Sequence, residues 1–428
     1  MPAGEWTGMT DVASTNGPET GGVLRALADA WRRYGRMIFA IGVTISVSAA
    51  LLRVGHGVYR LVSPADRRGG IDLRLRFFEV EAWFAGEQVY GRLGSAVYPP
   101  ASYTMFWPFV GWNDRLTARW IWAVTTLAML AWLAWLLWRE HGSRPRIERA
   151  WLALLPFAGY ATHSTLATGQ VSIHVVTLLV AGLLVFVNRS GLRADITGSA
   201  VILPALIKPT LSVPLFWIAF LVPGRIRPAA LIIAGYAVLT LFAASFQPVG
   251  LIQLLRGWLA GDSEVQLDAT HTNLQRLLAG ADHLFLPLAL LIITATGVWV
   301  FRHRRVDLWI LMGVTALVAR MLTYHRGFDD FIIILPTVAL YRIAVSTASL
   351  NRRVIAGTLA LACFGGMMAP RLLITDIEAA VLLLNNVLLP LTWGATLGFL
   401  LFEAHRLRAE SAATPLPRPL TPAPSPGI

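Results

Sequence analysis

One cysteine and one lysine stand in a chain of 428 residues, of which only 14% are charged. Cys363 lies inside an apolar run, so the sequence admits no internal disulfide and no cysteine metal cluster. A small core residue is the reading that remains for it. No Walker loop, Gly-x-Gly-x-x-Gly unit or His-Glu-x-x-His helix occurs, which removes motif support for ATP-driven transport, nicotinamide chemistry and zinc-protease chemistry. Charge is scarce because 56% of the residues are hydrophobic, far more than a soluble domain of this length needs to fill its core. The excess must face lipid.

The runs Met37 to Leu51, Leu116 to Trp138 and Ile377 to Phe402 approach or exceed the ~20 apolar residues that cross a bilayer as a helix. A net charge of +12 would suggest nucleic acid in a soluble protein. Here the arginines fall in short gaps between apolar runs, so they report topology instead. They cluster in the N-terminal segment and at 139–149, 189–193, 225–227, 302–305, 342–353 and 406–408. Placing all of these in the cytoplasm predicts about twelve spans, at roughly 37–62, 116–138, 150–166, 170–188, 194–207, 210–223, 228–246, 284–301, 306–323, 330–346, 353–369 and 378–402. Both termini are then cytoplasmic, and long outer gaps fall at 63–115 and 247–283. Chemistry is expected where those loops meet helix ends. The expected fold class is thus all-α, a polytopic transmembrane helical protein of a bacterial plasma membrane. Its divisions are a cytosolic segment 1–36, a membrane unit 37–403 and a disordered tail 404–428 rich in proline, threonine and alanine. The N-terminal segment reads as a lead-in to an uncleaved first helix.

Tyr98 to Trp112 is apolar but short and opens with Pro99-Pro100, which suits a re-entrant or interfacial element. In the first outer gap, Leu73, Phe77, Val80 and Phe84 fall on one helical face, the pattern of a helix lying along the bilayer surface. Asp72 follows Gly69-Gly70 and opens that helix. It reads as an N-cap carboxylate, as a general base at the membrane surface, or as both at once. Lys208 is embedded between apolar residues beside the helix-breaking Pro209, where a charge is costly without a partner. A phosphate is one natural partner, and snorkelling to the interface is the alternative. Arg320, Tyr324, His325, Arg326, Asp329 and Asp330 are packed into a short outer turn. His325 could steer or share a proton with a carboxylate and the arginines could hold a phosphate, or the turn is a solvated ion-pair cluster. Gln170, with His174 one turn on, and His271 and Asn273, followed by Arg276, are weaker polar signals that suit sugar hydroxyls. Asp72, Glu79 and Glu81 could approach a cation, but no ligand spacing demands one.

The order of these pieces resembles glycosyltransferase family 87, a membrane-embedded GT-C group similar to mycobacterial mannosyltransferases and arabinofuranosyltransferases. The resemblance runs from Asp72 to about Leu340. It rests on the Asp opening the first outer loop, Gly86 to Tyr90, Tyr98-Pro99-Pro100, Gly169-Gln170, Lys208-Pro209, and Asn273 followed by Arg276. It implies a GT-C-like fold, a polyprenyl-phosphate sugar as donor and no required cofactor, with Asp72 as catalytic base and the carrier phosphate near Lys208. Arg326 and Arg276 join Lys208 as expected phosphate ligands. Tyr98, Gln170, His174, His271 and Asn273 are the expected sugar or acceptor contacts. Such proteins often carry Ser-Pro and Trp followed by His in the late turn. This chain has Thr323-Tyr324-His325-Arg326-Gly327-Phe328-Asp329 there, so His325 and Asp329 both stand as candidates for the second catalytic partner. The expected reaction is an inverting single displacement on the extracytoplasmic face, passing a mannose-like hexose or arabinofuranose to an envelope glycolipid or polysaccharide. A transporter or flippase for a lipid-linked saccharide is the rival reading, since it too needs many spans and broken helices.

Overall fold

The computed structural model describes residues 18–66, 68–262, 274–278, 280–322, 325–369 and 384–413. Among these the regular structure is helical. In chain order the α-helices are α1 (Pro18–Val62), α2 (Ile71–Phe84), α3 (Pro100–Val110), α4 (Arg115–Glu140), α5 (Arg146–Ala158), α6 (Tyr160–Thr168) and α7 (Ser172–Asn188). They continue as α8 (Leu192–Ile202), α9 (Pro209–Leu221), α10 (Arg227–Ala244), α11 (Leu251–Asp262), α12 (Leu274–Leu277) and α13 (Phe285–His303). The last are α14 (Leu308–Leu322), α15 (Ile334–Ser346), α16 (Leu350–Met368) and α17 (Leu389–Ala413). Helix therefore extends outside the expected ends of the membrane unit at 37 and 403.

Five segments are long and apolar enough to cross a bilayer: Arg33–Val62, Arg115–Glu140, Arg227–Ala244, Phe285–His303 and Asn386–Ser411. A sixth is counted if Arg146–Thr168 and Ser172–Asn188, bent by 119° at their break, form one span. Their outward side chains have no protein to cover them; Leu51 and Leu52 on α1 are each 73% exposed, which only lipid makes tolerable. The chain is a multi-pass membrane protein. The other expected spans, at 194–207, 210–223, 306–323, 330–346 and 353–369, coincide with α8 and its 3-10 extension, α9, α14, a 3-10 turn plus α15, and α16. These are shorter or less apolar, so length and hydropathy alone support five or six crossings where about twelve were expected.

α1 packs on α5 and α6, α7 on α4 and α8, and α14 on α9, α15 and α17. The arginine-rich gaps meet at one end of this bundle. There Arg225 pairs with Asp195 and donates to the Arg189 carbonyl, Arg342 pairs with Asp307, Arg144 donates to the Val345 carbonyl, and Arg352 pairs with Glu403.

Arg53 lies inside a span, and its guanidinium is spent on helix ends. It donates to the Ala158 carbonyl, the last of α5, and at 2.7 Å to the Met368 carbonyl, the last of α16. Carbonyls at a helix C-terminus have no intrahelical donor and carry partial negative charge, so one cation satisfies both ends. Arg53→Leu leaves them unsatisfied in an apolar setting. The expected cost is about 2–4 kcal/mol, read as a lowered thermal midpoint of the detergent-solubilised protein.

α2 differs from its expected face. Leu73 and Val80 are buried as the pattern predicts, but so are Arg76, Glu79 and Trp83, while Phe77 and Phe84 are only partly covered. The helix is wedged against α3, so its charged residues form an inner flank that the periodicity assigns outward. Charges tolerate the inner flank because they satisfy one another. Arg76 pairs with Glu79 at 2.8 Å, Ser95 Oγ donates to Glu79 at 2.6 Å, and the Arg76 guanidinium stacks 4.6 Å from the Tyr98 ring centre.

Candidate functional site

Four chain breaks meet at the end of the bundle opposite the arginine-rich gaps. The first is the turn that starts α2. Gly70 takes a left-handed φ of 62° and its N–H donates to the Ala167 carbonyl at the end of α6, which fixes the start of α2 over the α6–α7 break. Asp72 lies in the first turn of α2. The N-cap is Gly70 with no side-chain capping bond, so the N-cap reading of Asp72 does not hold; the left-handed glycine already sets the chain direction.

The second break is Gly169-Gln170. Gly169 has φ 75°, and a Cβ there would lie 2.6 Å from Leu73 Cβ, the residue after Asp72. Glycine is required twice over: by backbone conformation and by the close approach of α2. Gly169→Ala is expected to cost about 1–3 kcal/mol and to lower turnover by displacing the start of α2, checked by thermal unfolding alongside an activity assay.

The third break is Lys208, between a 3-10 turn (Leu203–Ile207) and α9. The fourth is the 3-10 turn Asp329–Ile333 before α15. They join directly. The Lys208 ammonium lies 2.6 Å from Asp329 Oδ1, and Ser172 Oγ at the start of α7 donates to the same oxygen at 2.5 Å. His325 Nδ1 is 3.1 Å from Asp329 Oδ2 and its Nε2 is 3.0 Å from the Ala319 carbonyl. Lys208 also sits 4.9 Å from the centre of the Phe328 ring. The partner of the solitary lysine is thus Asp329, where a phosphate or the interface was expected; the carboxylate supplies within the fold the charge that burial demands.

Burial works against the charged form of Lys208, but Asp329 outweighs it and raises the lysine's pKa. Burial also works against the Asp329 carboxylate. Lys208 and His325 outweigh it and hold the acid below the usual carboxylate range. Burial lowers the pKa of His325, whose neighbours are both acceptors. The neutral ring donates to one of them, and a second proton would serve the other.

Asp72 belongs to this group electrostatically. Its charge acts on Lys208, Tyr98, Arg76 and Glu79. Tyr98 is buried at the same place, feels Lys208, Arg76, Asp72 and Asp329, and accepts at its carbonyl a 2.6 Å bond from the Tyr90 hydroxyl. Gln170 is nearly buried, and its side-chain oxygen accepts from the Val171 N–H. His174 faces elsewhere: its ring lies 4.8 Å from that of Trp122 and near Phe109, with Nε2 3.4 Å from Thr125 Oγ1. Arg326 is exposed at the turn. Arg276 lies on α12, and His271, Asn273 and Tyr324 fall outside the described residues.

One further residue escaped the sequence reading: Ser172, whose signal is a hydroxyl just beyond Gly169-Gln170 at a helix start. Arg320 and Asp330 do form an ion pair, as one reading of the late turn has it, but the pair is buried against Trp393 and not solvated. No group of three or more His, Cys, Asp or Glu among the described residues is placed to hold a metal ion; Glu79 is committed to Arg76 and Ser95 and Glu81 is exposed.

Burial pushes the Glu79 carboxyl up from 4.5 to about 7, with Arg76 and Ser95 pulling the other way. The folded protein then holds this proton more tightly than the unfolded chain. The contribution to stability is full below pH 4.5 and is lost as pH rises through about 7. Glu79→Gln should flatten that part of the profile, measured as thermal midpoint against pH.

The sequence pattern of glycosyltransferase family 87 matches residues 96–324, more than half of the 428. No curated protein and no solved structure matches the chain. Tyr98, Gln170 and Lys208 lie within the matched segment, His325 and Asp329 lie just after its end, and Asp72 lies well before its start.

Proposed function

The chain belongs to glycosyltransferase family 87, and we propose that it transfers a sugar from a polyprenyl-phosphate donor to an envelope glycolipid or polysaccharide on the extracytoplasmic face. The observation that carries this reading is the packing of the start of α2, which bears Asp72, on the α6–α7 break, whose Ser172 holds Asp329 of the Lys208–Asp329 pair, at the end of the bundle opposite the arginine-rich gaps. A prenyl tail stays in the bilayer while its phosphate and sugar reach the helix ends, so the donor needs no nucleotide-binding loop.

The acceptor hydroxyl attacks the anomeric carbon from the face opposite the phosphate. Its proton passes to the Asp72 carboxylate, the bond from the anomeric carbon to the phosphate oxygen breaks, and the polyprenyl phosphate leaves with the electron pair. The anomeric configuration inverts. Lys208 uses one ammonium N–H on Asp329 and offers others to the phosphate, with Arg326 and Arg276 as further cations. Asp329, gripped by Ser172 and His325, fixes the direction of that ammonium. Tyr98, Gln170, His271 and Asn273 supply sugar or acceptor contacts. The sugar is a mannose-like hexose or arabinofuranose.

The test is reconstitution of the full chain in vesicles with an isotopically labelled polyprenyl-phosphate sugar and envelope glycolipids. A labelled glycoside of inverted configuration, seen by NMR, is the expected product. Movement of intact donor between leaflets with no new glycosidic bond would instead identify a flippase.

A further inference from the structure

We propose that Arg74, Arg115 and Arg119 form a binding site for the phosphodiester headgroup of an anionic membrane lipid, beside the mouth of the Asp72 site and separate from Lys208. Arg74 comes from α2 and the other two from the first turns of α4. With Leu73, Phe77 and Ala118 they line one small cavity. The site adjoins the start of α2, because a Cβ on Gly70 would lie 3.3 Å from Arg119 Nε. Asp72 stands two residues from that glycine and two from Arg74.

Three arginines line the cavity, and Asp66 and Asp114 are engaged elsewhere. Arg74 and Arg115 both repel Arg119, with Asp66 as the opposing charge. Asp66 is paired with Arg60 at 2.7 Å and accepts from the backbone of Arg68 and Gly69. Asp114 is spent capping α4, accepting from the N–H groups of Leu116 and Thr117. Arg119 donates to the Ser63 carbonyl at 3.2 Å, and Arg115 stacks 4.4 Å from the Phe78 ring centre. Neither contact neutralises charge. Both orient a planar fork, and a fork matches the paired oxygens of a phosphodiester. With Asp66 opposing Arg119 while already paired to Arg60, three arginines kept together call for a further counterion from the surroundings.

The surroundings are lipid. Phe78, stacked under Arg115, is 39% exposed, and Leu116 and Trp120 on α4 are 44% and 52% exposed, so exposed apolar side chains neighbour the arginines at the end of a spanning helix. An aromatic and arginine rim of this kind sits at headgroup depth, where each basic residue adds to the attraction for anionic lipid. The occupant is therefore a lipid whose phosphate lies at the arginines and whose remaining headgroup extends toward Asp72.

The experiment reads lipid binding independently of turnover. The full chain is placed in nanodiscs of phosphatidylcholine with a minor fraction of phosphatidylglycerol, and the lipid retained after detergent extraction is measured by native mass spectrometry. Wild type should retain phosphatidylglycerol selectively. The Arg74→Gln, Arg115→Gln, Arg119→Gln triple variant should lose that selectivity at least about tenfold. The corresponding Arg→Lys triple, with the same charge, should keep part of it and shows that the fold survives. Asp72→Asn should keep it fully, whatever becomes of catalysis, so failure of the base assignment does not count against the site. A Gln triple variant that binds as wild type does would overturn the proposal. So would loss of selectivity in Arg189→Gln, Arg193→Gln at the other end of the bundle, or displacement of the lipid by millimolar inorganic phosphate.

Discussion

Asp72→Asn is expected to reduce turnover by ~100-fold or more while leaving the fold and the donor affinity close to wild type. Asparagine has nearly the shape of aspartate but cannot take a proton at neutral pH. The substitution thus removes the base and little else. Structural damage should be slight, because Asp72 is not the N-cap of α2 and the turn before it is set by Gly70 and its bond to Ala167. The measurement is single-turnover transfer from a polyprenyl-phosphate sugar, with thermal unfolding as the fold control. A wild-type rate in a normally folded variant would exclude Asp72 as base and send the search to Glu79 or His325.

Asp329→Asn carries the largest expected effect on stability. Lys208, Ser172 and His325 all converge on that carboxylate, and Asp329 is 2% exposed. Removing its charge strands the Lys208 ammonium in a buried setting, a loss of about 3–5 kcal/mol for a broken buried pair. The double variant Lys208→Met, Asp329→Leu leaves no uncompensated charge. It should recover much of the thermal midpoint and none of the activity, because the cation expected at the leaving phosphate is gone. Equal midpoints for wild type and Asp329→Asn would mean that the pair does not bear charge in the fold. Recovery of stability without activity separates the structural role of the pair from the chemical one.

Helix positions were readable because an apolar run bounded by arginines has few other structures available to it in lipid. Every expected span falls on a helix where its residues are described, even those too short to count as crossings on length and hydropathy. Pairings were not readable. Lys208 and Asp329 are 121 residues apart, and nothing local to either names the other; only the meeting of two helix breaks does. Lys208 announced that a partner was needed, and the late turn announced that acids were available. The inner flank of α2 was missed for a related reason: periodicity assigns Arg76 and Glu79 outward, and cannot register that two charges satisfy one another inside. His174 shows the converse, since a histidine one turn beyond a polar break packs with Trp122 as part of an aromatic layer.

Arg53 makes assembly order matter. It enters the bilayer with the first span, yet one of the two carbonyls it serves belongs to Met368, which is synthesised more than three hundred residues later. Until then the nascent first span carries a cation whose final lodging has not been made. Premature stop codons between Asp329 and α16 should accordingly yield products that quality-control proteases clear quickly, although Asp72, Lys208 and Asp329 have all been translated.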